Sequence, residues 1–418
     1  MNSEHISIIS LGVLGCCMIS KKVEKLPFSL PMLFTIFGFL IGNQVLGWVP
    51  ITFEEHSVHI LATLALILVL FTDAARIKLD LLARYHDIPL RTLLIGMPLV
   101  ILAGTLVAYY LLGLTFWQSA LLASLLAPTD AALGQAVLDD EDVPIRIRQG
   151  INIESGLNDG LALPIVLIFM SFNKLDLQLS VAYWMEFIAY QLVLGPLVGI
   201  LVGYISGTVL MYSRKYNWIK KSYEELASIG IALLAYGVAD WVGGNGFGAA
   251  FFAGIVLGNY FRGICPCLWE FAEAEGSLVT LLTFLIFGAA MVPLCWVYFS
   301  WSVILYAILS LTFIRMIPIL ISLTGAGLRL DTQLFIGWFG PRGIASILFG
   351  IVILEATVLP IYERLMGIVS VTVLFSVFLH GATAYPFSRW YGRRLKESSP
   401  EEKVEEVKTV QELPYRWH

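Results

Sequence analysis

Long apolar stretches that recur along the whole chain are the feature that most limits how this sequence can fold. Thirteen of them reach or approach the roughly 20 residues that one helix needs to cross a bilayer. Their approximate limits are 3–20, 30–49, 57–75, 90–112, 116–138, 147–171, 182–212, 225–242, 246–262, 275–293, 298–322, 332–354 and 363–386. The chain is 58% hydrophobic and only 14% charged, whereas soluble domains carry far more charge. The sequence therefore predicts an all-α polytopic membrane protein with about thirteen transmembrane helices.

The basic residues test this count and indicate an orientation. If the N-terminus lies outside, the inside loops and the C-terminus together hold 22 of the 26 lysines and arginines. Lys174 and Arg364 then fall outside, and Arg315 and Arg342 fall within spans. Cytoplasmic loops carry such an excess of positive charge. We therefore expect a multi-pass protein of the cell membrane (inner or plasma membrane), with its N-terminus outside and its C-terminus cytoplasmic.

Charge and cysteine content exclude several function classes. The net charge of −5 argues against nucleic acid as a partner. The five cysteines show no CxxC spacing and suggest neither a disulfide framework nor a zinc site. The chain has no GxxxxGK[ST] motif, and no strand precedes its glycine-rich segment Gly244-Asn245-Gly246-Phe247-Gly248, so nucleotide binding is not indicated. We expect no cofactor, and a solvated tail from Lys396 onward.

Ionised side chains within the apolar spans are the candidate functional residues, because each costs roughly 2.5–3.5 kcal/mol on insertion scales. They are Asp73, Asp130, Glu154, Asp159, Asp240, Arg315 and Arg342. Asp73 and Asp240 lie toward helix ends, where they can reach water. Arg315 is mid-span, and we expect it to pair with a carboxylate or a helix end as part of the structure.

The sixth span carries the densest polar cluster, the segment Glu154-Ser155-Gly156-Leu157-Asn158-Asp159-Gly160. Residues four apart share a helix face. Ser155 therefore pairs with Asp159, and Glu154 pairs with Asn158 on the adjoining face. The two glycines predict the close approach of another backbone. A polar network that only holds helices together is the alternative to a binding site.

Proline interrupts two of the spans near their middle. The segments are Ala127-Pro128-Thr129-Asp130 in the fifth span and Gly340-Pro341-Arg342-Gly343 in the twelfth. Proline breaks a helix and frees backbone carbonyls, which transporters use to bind cations at the midplane. Asp130 would face an exposed helix N-terminus, and Arg342 an exposed C-terminus. The two spans lie seven apart, which predicts inverted repeats of spans 4–6 and 11–13 whose broken helices cross at the midplane.

These motifs resemble the NhaP-type sodium/proton antiporters of the monovalent cation:proton antiporter family. The resemblance rests on Pro128-Thr129-Asp130, on the cluster from Glu154 to Gly160, on Gly340-Pro341-Arg342-Gly343 and on His380-Gly381-Ala382-Thr383. With the thirteen-span plan, it covers essentially residues 1–390.

The resemblance implies a division of the chain into two domains that move against each other. The ion-transport core comprises spans 4–6 (90–172) and 11–13 (298–388). The scaffold, which also forms a homodimer, comprises spans 1–3 (1–89) and 7–10 (173–297). Residues 389–418 form the cytoplasmic tail.

The resemblance also implies the ligands of the transported ion. Asp159 would bind either the cation or a proton. Asp130, Ser155 and Thr129 would surround a Na⁺ ion with it, and Asp73 would reach the ion through water.

Three further residues would hold the site together. The resemblance implies that Asn158 steadies the site through its amide. It also implies that Glu154 and Arg342 form a buried ion pair between the sixth and twelfth helices.

The expected function is the electroneutral exchange of one monovalent cation for one proton by alternating access, with Na⁺ the first choice and Li⁺ or K⁺ also open. Burial and a second nearby carboxylate both disfavour the charged form of an aspartate. Asp159 can therefore hold a proton for which a small cation competes, while Asn158 cannot titrate. Two other classes stay open: an intramembrane aspartyl-type hydrolase that uses Asp130 and Asp159, and a cation channel.

Overall fold

The regular structure of this chain is helical throughout the part that can be described. The computed structural model describes residues 3–23, 28–49, 56–77, 79, 82, 86–174, 189–261, 267–355, 360–397 and 406. In these residues, seven helices are long and apolar enough to cross a membrane by length and composition, and four shorter apolar helices accompany them. This agrees with the predicted all-α fold, whereas thirteen crossings stay a prediction.

The helices are numbered here in chain order. They are α1 (Ser3–Val23), α2 (Leu30–Ile41), α3 (His56–Arg76), α4 (Asp87–Leu112), α5 (Phe116–Leu125), α6 (Gln135–Leu138), α7 (Ile145–Lys174), α8 (Tyr190–Lys215), α9 (Lys221–Trp241), α10 (Gly246–Tyr260), α11 (Cys267–Ile286), α12 (Val292–Tyr298), α13 (Trp301–Leu311), α14 (Phe313–Leu323), α15 (Leu330–Trp338), α16 (Ile344–Glu355) and α17 (Pro360–Glu397). Every predicted span overlaps one of these helices. The start of the seventh span, at 182–188, and the last residue of the ninth, at 262, lie outside the described residues.

The two spans that contain Pro128 and Pro341 are interrupted as predicted. Helix α5 ends at Leu125, and a short 3-10 turn starts at Ala131 and leads into α6, while α15 ends at Trp338 and α16 begins at Ile344. The two non-helical segments touch, because the backbone N–H of Asp130 donates to the carbonyl of Pro341 at 2.8 Å. The two interruptions are therefore in direct contact, whereas the crossing of the broken helices at the midplane stays a prediction. Inverted-repeat symmetry between the two halves stays a prediction.

A third interruption, between α13 and α14, was not predicted. Thr312 has φ −111° and ψ −95° there, outside the helical region, although neither proline nor glycine occupies the position. Its carbonyl accepts from the N–H groups of Arg315 and Met316 at 3.2 and 2.7 Å. The break sets the direction of α14 and with it the position of Arg315, which lies in the first turn of that helix.

Helix α10 fixes α3, the helix that carries Asp73. Gly254 of α10 lies directly against the carbonyl of Phe71, where a Cβ atom would overlap it. Near the end of α10, the amide of Asn259 donates to the carbonyl of Ile77 at 2.9 Å. Close backbone packing and this cap hold α3 in place beside α7.

The close backbone approach predicted at the two glycines of α7 is wrong. A Cβ atom at Gly160 would overlap the ring of Phe251, which is a side chain. A Cβ atom at Gly156 would lie 3.7 Å from the carbonyl oxygen of Asp73, an ordinary van der Waals distance. The neighbouring elements present a ring at one glycine and leave normal space at the other.

The C-terminal end of α17 is attached to the loop between α6 and α7. The ammonium of Lys396 bonds to the Asp142 carboxylate at 2.5 Å, and the hydroxyl of Ser388 donates to Asp140 at 2.7 Å. The hydrogen bond from Lys396 lowers the pKa of Asp142 from its ordinary value. These contacts join the second half of the predicted core to the first, outside the predicted spans.

The expectation of a solvated tail is wrong at Glu406. This residue is buried, and its Oε1 accepts from the backbone N–H of Arg329 at 2.8 Å and from the hydroxyl of Thr332 at 3.1 Å. It satisfies N-terminal donors of α15, as a helix start requires. The rest of the tail, 398–405 and 407–418, lies outside the described residues.

Candidate functional site

The carboxylate of Asp130 lies where the two interruptions touch and is 8% exposed. Its Oδ1 accepts from the N–H of Ala132 at 2.8 Å, and its Oδ2 accepts from the N–H of Ile344, the first residue of α16, at 3.0 Å. Helix starts have unpaired N–H groups and a partial positive charge. In each interrupted span, the helical segment after the break therefore begins with an N–H group that donates to Asp130. The sequence predicts this position of Asp130 at a helix N-terminus.

Two glycines of the Gly-Pro-Arg-Gly segment make room for charged groups. A Cβ atom at Gly343 would overlap the carboxylate of Asp130, and one at Gly340 would overlap the guanidinium of Arg315. The two glycines of this motif therefore have a steric reason, because each lies against a buried charged side chain.

Arg342 is fully buried and caps the first broken helix. Its Nη1 donates to the carbonyl of Ala127 at 2.7 Å and to that of Pro128 at 3.3 Å. These carbonyls follow the C-terminal end of α5, where the helix leaves acceptors unpaired. The positive charge at this helix end matches the sequence prediction.

The predicted ion pair between Glu154 and Arg342 is wrong. Glu154 instead binds Arg315, with 2.5 Å between Oε1 and Nη2 and side chains that are only 3% and 2% exposed. The break in span 12 directs Arg342 toward the end of α5. The break at Thr312 brings Arg315 against α7, so the arginine from span 11 neutralises Glu154.

Two side chains of α7 bind Thr129, which lies in the break of the fifth span. The hydroxyl of Ser155 donates to the carbonyl of Thr129 at 2.6 Å. The amide of Asn158 donates to the Thr129 hydroxyl at 2.6 Å. Both α7 side chains are buried, so the sixth span and the interrupted fifth span form one polar centre.

Two oxygens of this centre are buried and accept no hydrogen bond from the described residues. They are Oδ1 of Asn158 and Oδ1 of Asp159. Buried polar atoms in proteins nearly always have a partner, and an exception calls for an explanation. Asp159 is only 6% exposed, so its free carboxylate oxygen can receive a proton or a small cation.

Asp73 lies against α7, where its backbone carbonyl oxygen would be 3.7 Å from a Cβ atom at Gly156. Its carboxylate also pairs with Arg76, one turn further along α3, at 3.6 Å, and about a third of its side chain is exposed. A contact between Asp73 and a transported ion stays a prediction.

Sequence reasoning missed two residues of span 13. The hydroxyl of Ser376 accepts from the backbone N–H of Arg342 at 2.7 Å and lies 3.1 Å from Nδ1 of His380. His380 was singled out only as part of a motif. The i, i+4 spacing of a buried serine and histidine on one apolar helix was the available signal.

The family of the chain follows from comparison with known proteins. The family model described as the transmembrane sodium/hydrogen exchanger matches residues 8–390. The chain belongs to this sodium/hydrogen exchanger family. Its match spans both broken helices, the α7 cluster and most of α17.

Relatives of this exchanger come from bacteria, fungi and archaea. The K⁺/H⁺ antiporter NhaP of Alkalimonas amylolytica is 25% identical over 414 residues, which cover 96% of this chain and 70% of the relative. The Na⁺/H⁺ antiporter of Schizosaccharomyces pombe is 25% identical over 438 residues, which cover 93% and 91% of the two chains. The fold is similar to that of the sodium proton antiporter MjNhaP1 from Methanocaldococcus jannaschii, with a TM-score of 0.75 at 19% identity over 90% of this chain and 98% of that chain.

These comparisons confirm the resemblance to NhaP-type antiporters and the prediction of a multi-pass membrane protein. They also confirm the prediction of a transporter, and the intramembrane hydrolase is rejected. The exchanger's ion ligands, its stoichiometry and its oligomeric state stay predictions.

Proposed function

We propose that this chain exchanges one Na⁺ for one H⁺ across the membrane by alternating access. The observation that carries the proposal is the buried Oδ1 of Asp159, which has no hydrogen-bond partner among the described residues. A proton and a small cation would compete for this carboxylate. The carbonyl of Thr129, the hydroxyl of Ser155 and the carboxylate of Asp130 supply the further oxygens for a cation, as unwound backbone does in transporters.

The buried charges around the site support an exchange that moves no net charge. Glu154 and Arg315 neutralise each other. The negative charge of Asp130 and the positive charge of Arg342 also cancel, although each lies at a helix end. Asp159 is left as the one unbalanced group of this cluster, and either one proton or one monovalent cation neutralises it.

Each of the two other carboxylates of the cluster accepts hydrogen bonds from a positively charged group or from helix starts. Glu154 accepts a charge-assisted hydrogen bond from a buried arginine, which is among the stronger kinds of hydrogen bond. Asp130 accepts from two backbone N–H groups at helix starts, where negative charge is favoured. Only Asp159 would then gain and lose a proton in each cycle.

In this proposal, the core of spans 4–6 and 11–13 moves against the scaffold of spans 1–3 and 7–10. The chain would act as a homodimer in the cell membrane, with its N-terminus outside and its C-terminus in the cytoplasm. The empty, charged site would not cross, which would make exchange obligatory.

The first experiment is a pH-gradient dequenching assay in proteoliposomes challenged in turn with Na⁺, Li⁺ and K⁺. We expect Na⁺ to dissipate the gradient at the lowest concentration; K⁺ is the competing outcome, since the bacterial relative is named for K⁺. Asp159→Asn should abolish the signal. The matched control is Asp240→Asn, because Asp240 also lies in a predicted span but is exposed. Wild-type rates in Asp159→Asn would refute the mechanism.

The second experiment measures stoichiometry. The membrane potential is clamped with a K⁺ gradient and valinomycin, and the Na⁺ gradient that stops net proton movement is found at a fixed pH gradient. One-to-one exchange predicts a stopping point that does not depend on voltage. A stopping point that moves with voltage would mean that a second acid titrates. Ion currents far above the turnover of an exchanger would instead indicate a channel.

A further inference from the structure

Two backbone groups at the break between α15 and α16 contact side chains of span 13. At the end of α15, the carbonyl of Trp338 lies 3.1 Å from Nε2 of His380. At the other end of the break, the N–H of Arg342 donates to Oγ of Ser376 at 2.7 Å. Oγ of Ser376 and Nδ1 of His380 are 3.1 Å apart. The serine and histidine are 0% and 1% exposed, so a closed network bridges the broken helix.

The donors and acceptors of this network define where its protons lie. The carbonyl of Trp338 can only accept, so Nε2 of His380 carries a hydrogen. Oγ of Ser376 already accepts from Arg342, and its own hydrogen can therefore be donated to Nδ1. The result is a neutral imidazole in the Nε2–H tautomer.

A doubly protonated imidazole fits less well. Nδ1 also lies 3.2 Å from the carbonyl of Ser376, and a hydrogen on Nδ1 could use that contact. It would, however, place a third positive charge near the buried guanidiniums of Arg315 and Arg342. Burying an additional like charge is costly, and it would upset the balance of charges around the site.

The network controls groups that hold the proposed cation site. The guanidinium of Arg342 caps α5, and the N–H of Ile344, two residues further along, binds Asp130. If the segment between Trp338 and Arg342 shifts, both contacts shift with it. The network therefore acts on the site through the backbone, without touching the ion.

We propose that His380, through Ser376, is a positioning residue for cation exchange. The pair forms a neutral chain of hydrogen bonds, here called the relay, from the carbonyl of Trp338 to the N–H of Arg342. This chain fixes the backbone of the break, from which Arg342 caps α5 and Ile344 binds Asp130. This rests on the proposed function. A neutral side chain also adds a hydrogen bond at the C-terminal end of α15 without adding a charge there.

Two amide substitutions separate the two hydrogen bonds of the imidazole. In His380→Gln, the longer side chain can place an N–H near the position of Nε2 and donate to Trp338. In His380→Asn, the amide reaches only the position of Nδ1, so the carbonyl of Trp338 loses its bond to span 13 and keeps the one from the N–H of Gly340 at 2.8 Å. One net hydrogen bond of about 0.5–1.5 kcal/mol corresponds to a factor of roughly 2 to 12. The Asn variant should raise the KM for Na⁺ by that factor at unchanged folded yield, and the Gln variant should stay near wild type.

Thr383→Val is the matched control on the same helix. Its hydroxyl accepts from the indole N–H of Trp338 at 3.1 Å, so this variant removes a bond to the same residue but leaves the carbonyl cap in place. We expect an unchanged KM. Equal KM values for the Asn and Gln variants, or a loss of thermal stability with no change of KM, would overturn the positioning role.

A spectroscopic measurement tests the relay independently of transport. In the full-length chain carrying isotope-labelled histidine, nuclear magnetic resonance in lipid membranes should show a buried neutral Nε2–H imidazole. That signal should vanish in His380→Gln and shift in Ser376→Ala, which also assigns it if the Gln variant does not fold. An Nδ1–H or doubly protonated ring overturns the relay. A wild-type protein that exchanges no cation refutes the proposed function but leaves this measurement interpretable.

Discussion

Replacing Glu154 with alanine should leave the guanidinium of Arg315 buried without its counter-charge. The pair is separated by 2.5 Å and is almost completely enclosed. Arg315 also lies against Gly340, in the segment that interrupts span 12. The perturbation therefore removes one charge and loosens the contact between α7, α14 and the break of span 12.

The expected loss of stability follows from the burial of the Glu154–Arg315 pair. Breaking a buried ion pair by removing one partner costs about 3–5 kcal/mol. If unfolding entropy is about 2.1 cal/mol/K per residue, as in globular proteins, the 418 residues translate this cost into a Tm decrease of roughly 3–6 °C. Membrane proteins keep helices when they unfold, which lowers their unfolding entropy, so the decrease should be at least this large.

The assay is thermal unfolding of the purified protein in detergent, followed by the loss of its monodisperse form. Glu154→Ala and Arg315→Ala should each lower Tm, while Glu141→Ala, at an exposed loop position, should not. The double variant Glu154→Leu with Arg315→Met should recover at least half of the loss, because apolar replacements remove both buried charges. Additive losses in the double variant would refute the ion pair, as would a Glu154→Ala protein as stable as the wild type.

The remaining predictions concern the site and the end of α17. Asp159→Asn should abolish exchange at normal folded yield, measured by dequenching in proteoliposomes. Gly343→Ala should displace the carboxylate of Asp130 and lower exchange at least tenfold, whereas Gly134→Ala, where a Cβ atom meets nothing within 4 Å, should leave it unchanged; equal rates in the two variants would contradict the steric argument. Because the pKa of Asp142 is lowered in the folded state, its stabilising effect is present above its ordinary value and is lost as pH falls through the folded value. Asp142→Asn should therefore reduce Tm slightly near neutral pH, and the difference should disappear in acid; a difference that grows in acid would contradict this sign.

Several features of the fold could be predicted because they depend on local chemistry. Apolar length determines which stretches can be membrane helices. Proline at 128 and 341 removes helix hydrogen bonds, and both spans are interrupted there, although α7 and α17 continue past Pro164 and Pro386. The cluster on α7 was recognisable because helical spacing alone puts Ser155 and Asp159 on one face.

The partner of Glu154 could not be predicted in this way. Arg315 and Arg342 both lie within apolar spans, and a sequence contains no distance between them. The partner is Arg315 because a helix break at Thr312 orients α14 toward α7. Neither proline nor glycine occupies position 312, so the sequence does not indicate this break. The room for each charge then depends on glycines 340 and 343, whose role appears only when the neighbouring elements are in place.

The sequence by itself determined that the chain lies in a membrane and is helical, where its two proline breaks lie, and which few ionisable groups fall within the spans. Each of these follows from the chemistry of a residue and its near neighbours. Only the tertiary structure decided which charges meet, that His380 and Ser376 bridge the second break, and that one oxygen each of Asn158 and Asp159 has no hydrogen-bond partner among the described residues. Those facts depend on contacts between residues that are far apart in the chain. Local composition and spacing do not encode such contacts, whereas packing of the helices fixes them.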